Sequence, residues 1–275
     1  MTWQALSADT RPVGRTHHAF GTRLRLNRLS DRGDGRLMIV PLDHSITDGP
    51  IVSGDSINGL VGALVEAGVD AVVLHKGAAR SVDPGHFART SLIVHLSAST
   101  KHAPDPDAKY LVASVEAAMR LGADAVSVHV NMGSRHEAGQ IADLANVAEL
   151  CDRWNLPLLA MMYARGPRIN NTTDPALVAH AATIAADLGA DLVKVSYPGT
   201  AQDLAALVRG CPIPVVVAGG PPVDDRAALL DRVGAVIGAG AAGVAIGRNV
   251  FRSPDPRSLA GDIVHAVHGR VAVAA

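Results

Sequence analysis

The sequence has no stretch of about 18 consecutive apolar residues, the minimum for a bilayer-spanning helix, so no membrane partner is expected. It has no surplus of positive charge either. Its 25 lysines and arginines face 26 acidic residues, for a formal net charge of −1. Sequence-independent binding to a phosphate backbone needs such a surplus, so nucleic acid is not expected as a partner. Cysteine is nearly absent: Cys151 and Cys211 lie far apart in no metal or redox spacing, which fits a reducing cytoplasm. The opening stretch MTWQALSADTRPVGRTHHAF contains no apolar signal core, so a cytoplasmic location is expected. Lysine is scarce. Only Lys76, Lys101, Lys109 and Lys194 occur against a large arginine majority. Such a bias suits a GC-rich genome, and it makes the position of each lysine informative.

What the sequence does contain is core material. Hydrophobic residues make up 48% of 275 residues, enough for one large domain. Residues 1–36 are rich in Arg, Ser, Gly and Asp and read as an irregular or partly helical N-terminal extension. From 37 to 275, short apolar runs alternate with amphipathic stretches. There are eight runs: RLMIVPLDH (36–44), DAVVLHKG (70–77), SLIVHLSAS (91–99), DAVSVHVNMG (124–133), LPLLAMMYARG (156–166), DLVKVSYPG (191–199), IPVVVAGG (213–220) and GVAIGRNVF (243–251). Each is β-branched and nearly continuous in hydrophobicity, as befits a strand covered on both faces.

Helical patterns fill most of the gaps. Asp174 followed by Pro175 predicts a cap and a first-turn proline, with Leu177, Ala181, Ile184 and Leu188 on one face. Asp224 and Asp225 predict a second start, with an end near Gly234; 56–67 and 107–121 read as two further helices. The gap between the second and third runs is too short for a full helix. An internal repeat links these parts: AGVDAVVL (67–74), LGADAVSV (121–128), LGADLVKV (188–195) and AGAAGVAI (239–246) each read as a helix end, a Gly suited to positive φ, and a strand. Eight such units predict a single (β/α)8 TIM barrel of the α/β class. An open doubly wound sheet is the alternative, but it calls for a Gly-rich turn after its first strand, and PLDHSITDGP is not one.

In a barrel of this kind chemistry gathers at the C-terminal strand ends. Those ends hold Asp43, His44, His75, Lys76, His95, His129, Asn131, Tyr163, Arg165, Lys194, Ser196, Tyr197, Gly219, Gly220, Gly247, Arg248 and Asn249. Aligning the repeats puts Lys194 at the position of Val73, Ser127 and Ala245, on the same parity as Gly247, and so into the barrel mouth. Lys76 has the opposite parity and points towards the helices. Lys101 and Lys109 flank the loop-like APDPDA and are expected to be solvated. An amine between Val193 and Val195 is desolvated, which favours its neutral, nucleophilic form and so a Schiff base with a carbonyl carbon. A structural ion pair is the competing reading. Asp43 is a candidate general base or hydrogen-bond partner and Tyr163 a candidate general acid/base, where the plainer roles are a loop cap and a rim-packed ring. Gly219, Gly220 and Gly247 with Arg248 suggest a phosphate site, and His44, Ser45 and Arg165 further substrate contacts. His44, His75, His95 and His129 end the first four strands, so convergence on a metal is conceivable, although no HxH or HxxxH spacing occurs. A polar layer under the substrate is the preferred reading.

The motifs VPLDHSITDGP, LHKG, VHVNMGS, MMYARGP, VKVSYPG, AGGPP and GAAGVAIGRNVF, in this order between about 36 and 252, resemble those of the DhnA-type class I aldolases. The resemblance implies a Schiff-base lysine at Lys194, an aspartate proton acceptor at Asp43 and a tyrosine proton donor at Tyr163. It implies phosphate contacts at Gly219, Gly220, Gly247 and Arg248. It also implies no metal or cofactor, and a large homo-oligomer, with decamers among family members. One departure is visible. Members commonly carry a Tyr-Thr-Gly-Asp type run after the lysine, and this chain has Tyr197-Pro198-Gly199-Thr200. The family offers three reactions, each pairing a phosphorylated ketose donor with an aldehyde acceptor: fructose bisphosphate cleavage, condensation of aspartate semialdehyde with a deoxyhexodiulose phosphate, and condensation of aspartate semialdehyde with dihydroxyacetone phosphate to 2-amino-4,5-dihydroxy-6-oxo-7-(phosphonooxy)heptanoate. The arginine bias inclines the expectation to the third. A phospho-sugar-binding scaffold is the non-enzymatic alternative, against which an inward lysine among acid/base candidates argues.

Overall fold

A computed structural model describes residues 18–51, 56–223 and 225–269. Each of the eight apolar runs becomes a strand: β1 Leu37–Pro41, β2 Ala71–Leu74, β3 Ser91–His95, β4 Ala125–Met132, β5 Leu158–Ala164, β6 Leu192–Val195, β7 Val215–Ala218 and β8 Gly243–Ala245. They pair in sequence order, all parallel, and β8 closes on β1. Helices intervene between most consecutive strands, which is the (β/α)8 architecture.

Parity divides the apolar residues into two cores. Met38, Val40, Val72, Val94, Val128, Ala160, Val193, Val217 and Val244 face the helix layer. Leu37, Ile39, Ala71, Val73, Ile93, Ala125, Leu159, Met161, Leu192, Val216 and Ala245 fill the barrel interior. The repeat glycines Gly68, Gly122, Gly189 and Gly240 all adopt positive φ, from 81° to 93°, a conformation that would strain any residue with a Cβ. The aspartate that follows three of them has a constant task. Asp124 accepts from the Leu92 amide at 3.1 Å and Asp191 from the Leu158 amide at 2.8 Å, while Asp70 accepts from the Met38 amide. Each carboxylate therefore satisfies an amide in the first two residues of the preceding strand. In the fourth repeat Ala242 stands at that position.

The same aspartates anchor the N-terminal segment. Its helix, Phe20–Leu29, sends Leu26 and Leu29 into the interior core at the end opposite the strand C-termini, each 1% exposed. His18 pairs with Asp191, Arg28 with Asp124 and Arg32 with Asp70, at 3.3, 3.6 and 3.3 Å. The lead-in thus closes the bottom of the barrel.

Several expected boundaries move. The helix after Asp174 runs Pro175–Asp187, and Asp174 caps the amides of Ala176 and Leu177. Its fully buried face is Val178, Ala181, Ala182 and Ala185, and Leu177, Ile184 and Leu188 of the expected stripe pack half-buried against the same core. The helix after Asp225 extends over Arg226–Gly238, beyond Gly234, while Asp224 lies outside the described residues. The expected helix over 107–121 is confined to Val115–Arg120, capped by Ser114. The preceding Tyr110–Leu111 instead pairs antiparallel with Ser97–Ala98 in a small sheet above β3. Between β2 and β3 lie only the short helix Lys76–Ala79 and a single 3-10 turn, Pro84–Ala88. Among the described residues no helix is long and apolar enough to cross a membrane.

If Leu26 closes the barrel floor, Leu26→Ala should leave a cavity there and lower unfolding free energy by about 2–5 kcal/mol in a denaturant titration. A peripheral helix would give a change under about 0.5 kcal/mol.

Candidate active site

The strand C-termini open into a cavity of about 710 Å³, a size suited to a pair of small substrates. Lys194, the third residue of β6, projects into it. It is 6% exposed, and β-sheet register sets it beside Met161 on β5 and Val216 on β7. Its ammonium reaches the Met161 sulfur at 3.9 Å. No described carboxylate lies within ion-pair distance, so the competing structural ion pair is not formed among the described residues. Lys76 starts a short helix outside the barrel, and its ammonium donates to the Val112 carbonyl at 2.5 Å. The two lysines are thus separated, Lys194 within a strand and facing the interior, Lys76 on a helix beyond the end of β2.

Tyr163 lies on β5 one interior position beyond Met161, so its ring stands above the Lys194 level on the neighbouring strand. It packs on His129 with ring centroids 4.9 Å apart, and the Arg165 guanidinium covers it at 4.6 Å. Asp43 follows β1. It precedes the short helix His44–Asp48 but makes no side-chain capping bond, so its carboxylate is not spent on the loop. One oxygen lies 3.7 Å from His95 Nε2 and the other 3.7 Å from His44 Nδ1. Burial by itself would raise the Asp43 carboxyl. The charges of His95, His44, Lys194 and His75 outweigh it and hold the group well below the usual carboxylate range.

The four strand-end histidines form a polar layer whose members have separate partners. His95 Nδ1 pairs with Ser127 Oγ at 2.8 Å, His129 Nε2 with Asn131 Oδ1 at 2.9 Å, and His75 Nε2 with the Asp43 carbonyl at 3.1 Å. His44 meets Phe251 edge-on at 5.3 Å. Burial pushes all four imidazoles below the ordinary histidine value. His95 falls to about 4 despite the opposing Asp43 charge, and His129 is held well below its ordinary value, with Lys109 and Arg165 adding to the effect of burial. No group of three or more metal-ligating side chains is assembled among the described residues.

Across the mouth, Gly219, Gly220, Gly247 and Arg248 line the cavity together. Arg248 donates to the Gly220 carbonyl at 3.0 Å. The glycines have distinct causes. Gly220 has φ +71°, whereas a Cβ on Gly247 would sit 2.4 Å from the Pro41 carbonyl oxygen. The Gly219 amide is held in the barrel ladder by Ala245 O at 3.1 Å, so Gly219 contributes space rather than a donor. A second cation, Arg232 from the helix Arg226–Gly238, also lines this end.

Of the sequence-nominated residues, Asp43, His44, Tyr163, Arg165, Lys194, Gly219, Gly220, Gly247 and Arg248 share this one cavity. Ser45 does not. It lies on the short helix that turns Thr47 and Asp48, rather than Ser45, to the opening. Lys109, expected in solvent, is half-buried and lines the cavity, with its ammonium 2.6 Å from Ser99 Oγ. Arg232, Thr172, Thr173 and Asp48 were likewise missed, since they come from helices and loops with no strand-end signal. Thr200, where relatives of this motif carry a carboxylate, caps the helix Ala201–Gly210 by accepting from the Asp203 amide at 3.1 Å.

A family model for the DeoC/LacD family aldolases matches residues 37–253. The chain belongs to that family. It is 59% identical over 249 residues to the 2-amino-4,5-dihydroxy-6-oxo-7-(phosphonooxy)heptanoate synthase of Streptomyces griseus, covering 90% of this chain and 91% of that one. It is 45% identical to 2-amino-3,7-dideoxy-D-threo-hept-6-ulosonate synthase 1 of Archaeoglobus fulgidus, covering 92% of this chain and 94% of the relative. Among solved structures, an archaeal fructose-1,6-bisphosphate aldolase superposes with a TM-score of 0.82 at 31% identity, over 90% of this chain and all of that one. That aldolase was captured with its catalytic lysine bound to the carbinolamine intermediate of its substrate. The chain is accordingly a class I aldolase, one that works through a Schiff base.

The buried histidines set a pH dependence. The folded-state value of His95 is about 4 and the unfolded value is near 6.5, so in between the unfolded chain binds more protons. Stability conferred by neutral His95 is present above pH 6.5 and is lost as pH falls towards 4. Melting temperature should drop across that window, and less steeply in His95→Gln; equal slopes would show that another group governs the loss.

Proposed function

We propose that this aldolase joins dihydroxyacetone phosphate to L-aspartate 4-semialdehyde, giving 2-amino-4,5-dihydroxy-6-oxo-7-(phosphonooxy)heptanoate. The observation that carries the reading is Lys194, a buried amine in no ion pair among the described residues, opening on a two-substrate cavity in a chain 59% identical to a synthase of that product. The donor phosphate docks beside Gly220 and Gly247 with Arg248, and Arg232 reinforces the charge. The Lys194 amine adds to the donor C2 carbonyl, and loss of water from the carbinolamine leaves an iminium. That cation acidifies the adjacent hydroxymethyl carbon, and loss of a proton from it gives the enamine. The enamine carbon attacks the aldehyde carbon of the acceptor, the new alkoxide takes up a proton, and water releases the product by hydrolysing the iminium.

Two groups divide the work around that nitrogen. A carboxyl held as low as that of Asp43 is a weak base, and its negative charge is suited to stabilising the iminium. Tyr163, on the adjacent strand and above the lysine, then carries the proton between carbon and oxygen. The barrel reads as cytoplasmic and homo-oligomeric on the same account. Phe20, Leu24 and Trp154 leave large apolar side chains exposed at its lower end, which supports self-association.

Borohydride reduction with dihydroxyacetone phosphate should leave a stable adduct on Lys194, located by peptide mass. An adduct on Lys76, or none in an active preparation, would overturn the assignment. Tyr163→Phe should still be trapped yet turn over about 10²–10⁴-fold more slowly. Arg248→Ala should raise KM for the phosphorylated donor by about 10- to 100-fold, far more than for the aldehyde; equal rises would argue against a phosphate site there.

A further inference from the structure

Two cations in the cavity have no part in the chemistry at Lys194 and form no ion pair among the described residues, although the charges of Asp43, Asp107 and Asp48 act on one of them, Lys109. Lys109 comes from the loop between β3 and β4, and Arg165 from the end of β5. Counting strands around the ring, this cationic pair stands across the mouth from the Gly220–Gly247–Arg248 end, with Lys194 on β6 between them. The Lys109 ammonium donates to Ser99 Oγ, and neither it nor the Arg165 guanidinium is in an ion pair among the described residues. The two are close enough that Arg165 adds to the burial that lowers the Lys109 ammonium below its usual value. Lys109 is half-buried and Arg165 exposed, so the pair stands open at the mouth to an anion arriving from solvent.

A third charge stands beside the pair. Asp48 ends the short helix after β1 and lines the same cavity, and its carboxylate is in no ion pair among the described residues. Ser99 fixes it relative to Lys109. The Thr47 hydroxyl donates to the Ser99 carbonyl at 3.1 Å, while the Lys109 ammonium donates to the Ser99 hydroxyl at 2.6 Å. That hydroxyl in turn donates to the Pro106 carbonyl at 2.8 Å, so its orientation is set.

We propose that Lys109 and Arg165 hold the α-carboxylate of the acceptor and that Asp48 holds its α-ammonium, making this end of the cavity a zwitterion subsite that selects amino-acid aldehydes over phosphorylated aldehydes. The proposal rests on the aldolase reading above. Two cations alone would serve a phosphate equally well. Asp48 breaks the tie, because a carboxylate beside the pair attracts an ammonium and repels a dianion. Arg165 has a planar fork for a carboxylate, and its stacking on Tyr163 aims it while leaving its N–H edge open to ligand.

The test compares two acceptors with one donor. With dihydroxyacetone phosphate saturating, Lys109→Met should raise KM for aspartate semialdehyde by about 10- to 100-fold, with a much smaller change for unsubstituted propanal. Asp48→Asn should weaken aspartate semialdehyde while improving glyceraldehyde 3-phosphate, shifting the ratio of their kcat/KM values by about 10-fold or more. Melting curves verify that both variants fold. Unchanged ratios in both folded variants overturn the subsite. So does a Lys109→Met loss equal for aspartate semialdehyde and propanal, which would mark a structural lysine. Failure of wild-type enzyme to be trapped on Lys194 by borohydride and donor would sink the aldolase mechanism instead, so the two ideas fail separately.

Discussion

In a closed parallel barrel every strand sends alternate side chains into one shared interior, and neighbouring strands fix which of them stand at the same height. That constraint governs this site. Lys194 is level with Met161 and Val216, so its amine is surrounded by sulfur and aliphatic carbon rather than by a carboxylate. Shifting β6 by one residue would move Lys194 into the helix layer and turn Val193 and Val195 inward. The lower interior, packed with Leu37, Ile39, Leu159 and Leu192 and closed by Leu26 and Leu29, keeps the register from slipping and keeps water out from below. Floor and site are thus one structure: the apolar plug makes the amine's surroundings dry.

Charge is then distributed by level. At the floor, aspartates at the strand beginnings accept backbone amides and pair with His18, Arg28 and Arg32, and His268 bridges Asp34 and Asp70 at 2.7 and 2.9 Å. Those pairs are mutually satisfied. At the mouth the pairing is looser. Asp43 keeps 3.7 Å from each of two imidazoles, and one of its oxygens has no hydrogen bond. Unpaired groups at one end and paired groups at the other are what separates a reactive face from a structural one when both are rich in ionisable residues.

The part of this arrangement that is periodic was legible in the sequence. Eight runs, the positive-φ glycines of the repeat and the inward placement of Lys194 follow from period-2 alternation and helix-end chemistry, both local properties. Asp43, Tyr163, Arg165 and Arg248 were reached because each ends or directly follows a strand. Lys109, Asp48 and Arg232 were not, since nothing local marks them. Lys109 reaches the cavity because Tyr110–Leu111 pairs with Ser97–Ala98 and folds its loop back over β3, a contact between segments whose sequences predict a helix and a strand tail. Ser45 stands off the opening because it sits on a short helix that turns Thr47 and Asp48 to the cavity instead.

The glycines at the cavity's other end have structural causes of their own. Gly247 is required because the Pro41 carbonyl approaches it, and Gly219 because Ile246 fills the space where its side chain would go. Neither constraint mentions a ligand. Yet the same close approach leaves bare backbone at one end of the cavity, an end that Arg248 and Arg232 also line. Lys109 and Arg165, with Asp48, occupy the other. A donor carrying a phosphate dianion is attracted to the first and repelled by Asp48 at the second, which orients its carbonyl across Lys194 before any covalent step. The pattern of fixed charges therefore sets the direction in which the two substrates lie, and the amine between them needs to supply only the bond.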